Sequence, residues 1–289
     1  MFNLKLFLMK SKLFSFGFLL VGLSLFLLTS TFLFSCKKES VSTPKKIDYN
    51  LIGAEHNKGL DYVFNYVKEN TAKDKSKFKT KADFLSLVEK GTQEFLENSD
   101  LLVNEKNIAI AIDEAKKPFT FYSSCINSGI KSTTLEKLWP DEVDNLLTDK
   151  QKEILSEMND ILNNNTDIQA IIEGLNKLED KINSECSTEE KDVLLSATSI
   201  AKYSFQYWHD NFDTWMNEFG KEYNLTSGRK FSWSEVGKND VAYGVGGGVA
   251  GAIVGGSVSL GILTLPGWAA GAIGGAVGGS IGNAILQIW

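Results

Sequence analysis

From Val241 to Trp289 the chain contains no Asp, Glu, Lys or Arg, and 15 of its 25 glycines fall there. Gly247, Gly251 and Gly255 recur every fourth residue, as do Gly267, Gly271, Gly275 and Gly279 beyond Pro266, with Gly274, Gly278 and Gly282 forming a second row. Fourth-residue spacing places them along one side of a helix, where missing side chains let another backbone approach closely. Each glycine inside a helix costs about 1 kcal/mol relative to alanine. Close packing or a membrane must therefore offset this composition. Pro266 interrupts a helix and Gly267 allows a tight reversal, so the spacing predicts a helical hairpin, Val241–Leu263 followed by Trp268–Trp289. Each arm is roughly 33–35 Å long, enough to cross a hydrocarbon core. The expectation is a membrane-associating, self-packing hairpin. A tail packed against the rest of the chain, or lacking order, is the alternative.

The other end of the chain is also apolar. Met1–Ser35 carries only Lys5, Lys10 and Lys12 as charges, and a lysine-bearing start before a long apolar run is the pattern of a secretory signal. The run ends Leu33-Phe34-Ser35-Cys36. This resembles the lipobox of bacterial lipoproteins, with a branched aliphatic three residues before the cysteine and a small residue just before it, although Phe34 is bulkier than usual at its position. The resemblance implies that Cys36 becomes the mature N-terminus and carries lipid, palmitate included, on its thiol and amine. An uncleaved signal anchor is the alternative, since Leu13–Phe34 is long enough to span a bilayer. The polar stretch that follows, CKKESVSTPKK, broken by Pro44, suits a flexible tether over 36–49. Lys37 after the lipidated cysteine resembles sorting to the outer membrane of the Gram-negative envelope.

Between these ends, residues 50–240 hold nearly all the charge. Without the three leader lysines the formal net charge of −6 becomes −9. An acidic surface whose one arginine is Arg229 offers no basic stripe for phosphates, which argues against nucleic acid as a partner. Apolar residues recur with helical period, and Ser or Thr followed three residues later by Glu or Gln marks helix starts at Thr133, Thr148, Thr166 and Ser187. The predicted class is all-α: a helical bundle followed by the glycine-rich hairpin. Helices are expected over His56–Asn70, Lys81–Glu97, Leu135–Leu147, Asp149–Leu162, Asp167–Asn183 and Thr188–Phe219. In the last, Ala201, Phe205, Trp208, Phe212, Trp215 and Phe219 share one face, and a face of large rings is expected to be core. The segments EHNKGLDYVFNYV and SIAKYSFQYWHDNFDTW resemble stretches of uncharacterised bacterial lipoproteins, a resemblance that implies no activity.

Chemistry-bearing patterns are sparse. His56 and His209 are the two histidines; each has acids nearby in sequence, but a metal or nucleophile site needs better-organised partners. No phosphate loop, GxSxG elbow, HExxH or EF-hand pattern is read in the chain, so no catalytic residue, metal or cofactor is assigned. In an exported chain Cys125 and Cys186 form an even pair, read either as a disulfide or as two buried thiols. The tail resembles glycine-zipper segments of bacterial outer-membrane lipoproteins and, more loosely, GxxxG-rich helices of pore-forming peptides and bacteriocins. The expected function is that of a non-enzymatic, lipid-anchored envelope protein. Its partners would be membrane lipid and, through the tail, copies of itself. A membrane-permeabilising toxin acting through the tail is one alternative; a hydrolase or glycan-binding helical domain is another.

Overall fold

The computed structural model describes residues 47–73, 80–130, 135–220, 231–255 and 265–288. Eight α-helices appear among them: α1 (Asn50–Lys73), α2 (Lys81–Glu97), α3 (Glu105–Asn127), α4 (Asp149–Asn164), α5 (Ile168–Glu185), α6 (Thr188–Trp215), α7 (Trp233–Gly255) and α8 (Gly267–Ile288). A 3₁₀ turn, Asp141–Leu146, precedes α4, and a π turn, Met216–Gly220, extends α6. The all-α class is as expected.

Local signals explain most boundaries. Thr148 and Ser187 close full capping boxes with Gln151 and Glu190, and Thr80 does the same with Asp83. Each box satisfies two backbone donors at a helix start, typically worth about 1 kcal/mol. Two expectations fail for definable reasons. Thr166 does not cap α5; Asp167 does, through Ala170 N–H. Leu135–Leu147 is not an α-helix but a bend followed by the 3₁₀ turn. Pro140 lies in its middle, lacks an N–H and biases Trp139 away from helical angles. Thr133 lies outside the described residues. Conversely, α3 was not expected, because Pro118 sits inside it. Its buried ring packs on α8, at 2.8 Å from where a Cβ on Gly278 would stand.

The main departure concerns the tail. Residues 47–289 cluster as one compact unit, and α7 begins at Trp233 and runs straight through the expected boundary at residue 240. Every residue from Gly267 to Leu286 is buried. By length and composition Gly267–Gln287 could cross a bilayer, yet here it is wholly enclosed by protein. Together α7 and α8 form the hairpin, and α8 is the axis of the larger of two apolar cores, surrounded by α1, α2, α3 and the second half of α6. A second core joins α4, α5 and the first half of α6 to Val241, Val245 and Val249 of α7. Ala201 and Phe205 of the aromatic face enter this second core; Trp208, Trp215 and Phe219 enter the first.

Neighbouring backbone occupies both glycine rows of α8. A Cβ on Gly271 would lie 2.0 Å from Gly247 O, one on Gly275 2.2 Å from Tyr243 O, and one on Gly251 2.2 Å from Gly267 O. One partner number falls as the other rises, so α7 and α8 are antiparallel. The second row faces α3: a Cβ on Gly274 would meet Ala111 O at 2.0 Å, and one on Gly278 would meet Ala115 O at 2.6 Å. Here the numbers rise together, and the helices are parallel. The tail's self-packing is thus found within one chain. Gly255 ends α7, and residues 256–264 lie outside the described residues.

Candidate functional site: a buried polar junction

A helix as apolar as α8 has few places for polar atoms. Ser280 and Asn283 are fully buried, opposite Asn239 and Asp240 of α7, His56 of α1 and Ser204 of α6. Hydrogen bonds link several of them. The Trp208 indole Nε1–H donates to Ser280 Oγ at 2.8 Å, and the Ser280 and Ser204 hydroxyls both support the ionised form of Asp240. Ser204 Oγ donates to Asp240 Oδ2. Beside it, Tyr122 of α3 donates to Asn239 Oδ1 at 2.8 Å. The junction thereby ties four helices to the axis of the core.

His56 completes it. Asn57 Nδ2 donates to Tyr203 O at 3.1 Å, which turns its Oδ1 toward His56 Nδ1 at 3.0 Å. That oxygen only accepts, so Nδ1 carries the ring hydrogen. His56 Nε2 then faces Asp240 Oδ2 at 3.5 Å. Two acceptors oppose one another there unless a proton lies between them, so the pair is complementary only when it holds one. Burial raises the Asp240 pKa above its ordinary value, and the His56 and serine contacts offset that only in part. Asp240 Oδ1 has no hydrogen-bond partner, as suits a carboxyl that is not fully solvated as an anion.

Serine, histidine and aspartate together invite a hydrolase reading. Gly278-Gly279-Ser280-Ile281-Gly282 matches the letters GxSxG, which corrects the sequence reading that no such pattern is present. The geometry differs from an activated nucleophile. Such a serine stands exposed on a strand-to-helix turn and hydrogen-bonds its histidine. Ser280 is instead inside α8, its oxygen accepts from Trp208, and both serines and the histidine converge on the carboxylate. The arrangement can hold helices and a proton; it does not present a nucleophile.

Other sequence candidates are dispersed. Cys36 lies outside the described residues. Cys125 and Cys186 are free and buried, one in each core, so the disulfide reading is corrected to two thiols. Burial raises both thiol pKa values. His209 Nδ1 lies 2.8 Å from Asp210 Oδ1 on the exposed side of α6. No group of three or more His, Cys, Asp and Glu among the described residues could hold a metal. A shallow cleft between α2 and α3 beside Thr92 and Phe119 has a cavity volume of about 10 Å³, far below the roughly 300–1,000 Å³ of small-molecule sites. Comparison with protein-family models, with curated proteins and with solved structures gives no match.

Proposed function

We propose that this chain is a non-enzymatic envelope lipoprotein, anchored through Cys36, that holds an acidic helical domain at the outer membrane of a Gram-negative cell, with its glycine-rich tail as the domain's internal scaffold. The observation that carries the reading is the order of parts: an apolar leader ending in Leu33-Phe34-Ser35-Cys36, then a polar tether reaching Ile47, where the folded unit begins. A converging serine, histidine and aspartate that brace helices, with no serine–histidine contact, supports a structural or interaction role over catalysis. Membrane association of the tail belongs to this reading in the form argued below. The test is labelling with a palmitate analogue and membrane fractionation of the wild-type and Cys36→Ala chains. Label lost with Cys36 is expected; label retained, or absent from both, would overturn the anchor.

One observation favours a second reading, a membrane-permeabilising protein: the uncharged hairpin is sheathed by amphipathic helices that would have to open to release it. Leakage of dye from vesicles on adding the full chain would favour this reading over the first.

A further inference from the structure

The starts of α1, α3 and α8 and the end of α7 lie together. Tyr49, just before α1, stacks on Trp268 in the first turn of α8 at 6.0 Å between ring centres. Asn107, in the first turn of α3, donates through Nδ2 to Leu265 O at 2.5 Å. Gly251 of α7 abuts Gly267 and the Trp268 backbone. This one end of the domain collects exposed apolar side chains: Leu51 at 45% exposure, Val103 at 54%, Ile253 at 65% and Val254 at 60%. Apolar side chains grouped this way on a soluble surface mark a contact site.

What covers it follows from connectivity. The chain enters the folded unit at Ile47, two residues before Tyr49, and therefore at this same end. Upstream run the tether and the apolar leader that ends at Cys36. Both readings of that leader, lipidated cysteine or uncleaved anchor, bring a bilayer to within a tether's length of Ile253 and Val254. The acidic helix surfaces are repelled from an anionic membrane; Asp48 and Glu105 are exposed at this end too, but it is where four exposed aliphatic side chains gather.

We propose that the end formed by Leu51, Val103, Ile253 and Val254 docks on a lipid bilayer, seating its aliphatic side chains at the headgroup boundary while α8 stays within the protein. The tail thus contacts membrane through Ile253 and Val254 near the end of α7 rather than by spanning. This rests on the anchoring reading, and the two are separable by experiment.

The full chain is prepared with Ile253→Cys or, at the opposite half of α3, Phe121→Cys, each labelled with an environment-sensitive fluorophore. Unlabelled-site wild type serves as background for the buried thiols. Excess vesicles of phosphatidylethanolamine and phosphatidylglycerol carry a nitroxide on the upper acyl chain. Quenching is expected to be severalfold greater at residue 253 than at residue 121. Equal quenching at both sites, or none at 253, overturns the docking surface. So does a lipid-independent spectral shift that grows with protein concentration, which would assign the patch to a second copy. Flotation of the same samples reads the anchor separately: a chain that floats without quenching at 253 is anchored but not docked, and one that is quenched at 253 even with Cys36 replaced is docked without needing its lipid.

Discussion

Gly247 and Gly271 meet backbone to backbone: a Cβ on Gly271 would stand 2.0 Å from Gly247 O, and a Cβ on Gly247 2.1 Å from Gly271 O. Real Cβ atoms do not approach carbonyl oxygens so closely, so the contact exists only because both residues lack a side chain. The helices approach until main chains touch. Burial along this line offsets the helix-propensity cost of the glycines.

Neighbouring glycines should therefore respond with opposite sign. Gly247→Ala forces the helices apart and should destabilise the domain by about 1–3 kcal/mol. At Gly248 an added Cβ would find only ordinary contacts, 3.6 Å from Trp268 O and 3.7 Å from Ala272 Cβ. Gly248→Ala should accordingly gain up to about 1 kcal/mol from helix propensity. Urea midpoints of the two variants check this, and equal destabilisation would show that the register is different.

Ser280→Ala removes the acceptor of the Trp208 indole. Leaving buried polar atoms without partners should cost about 1–3 kcal/mol. Since both residues belong to one network, Trp208→Phe with Ser280→Ala should cost less than the two single changes added. Additive losses would show the bond to be absent in solution.

Asp240 sets an unusual pH dependence. Its pKa is raised in the folded chain by burial, so the folded state holds this proton more tightly than the unfolded one. Its contribution is full below the ordinary carboxylate range of about 4. It is lost as pH rises through the raised folded value, by at most about 1.4 kcal/mol per pH unit. The destabilisation caused by Asp240→Asn should thus shrink as pH rises. Denaturation at several pH values checks the sign; a penalty that grows with pH would mean that Asp240 is ionised and favourably paired.

The two free thiols make a plainer case. Adding a reductant should leave Tm unchanged, and thiol reagents should label Cys125 and Cys186 only after unfolding. A drop in Tm on reduction would restore the disulfide.

Much of this fold was legible in the chain because helix periodicity and capping are local. Thr148, Ser187 and the aromatic face from Ala201 to Phe219 declare themselves within a few residues. The fourth-residue glycine rows also announced a close helix pair. What they could not announce was the partner of the second row: Gly274 and Gly278 pack on Ala111 and Ala115 of a helix hidden by Pro118. Absence of charge in Val241–Trp289 reads alike for a membrane span and for the axis of a core, since both media exclude ions. The polar junction was equally hidden. Its members, His56, Ser204, Asp240 and Ser280, are distant in sequence, and the GxSxG letters around Ser280 point to a strand-to-helix turn rather than to the interior of a helix.

The place of α8 has a consequence for how such a chain is made. Tyr49 stacks on a residue more than two hundred positions later, and every helix that encloses the axis precedes it in the sequence. A chain delivered from its N-terminal end, by a ribosome or through an export channel, releases its wrapping before the thing wrapped. Until the last helix arrives, α1, α2 and α3 display apolar faces with nothing between them. Contacts of such long range form slowly. The interval of greatest exposure is therefore written into the order of synthesis, and it closes with the arrival of α8.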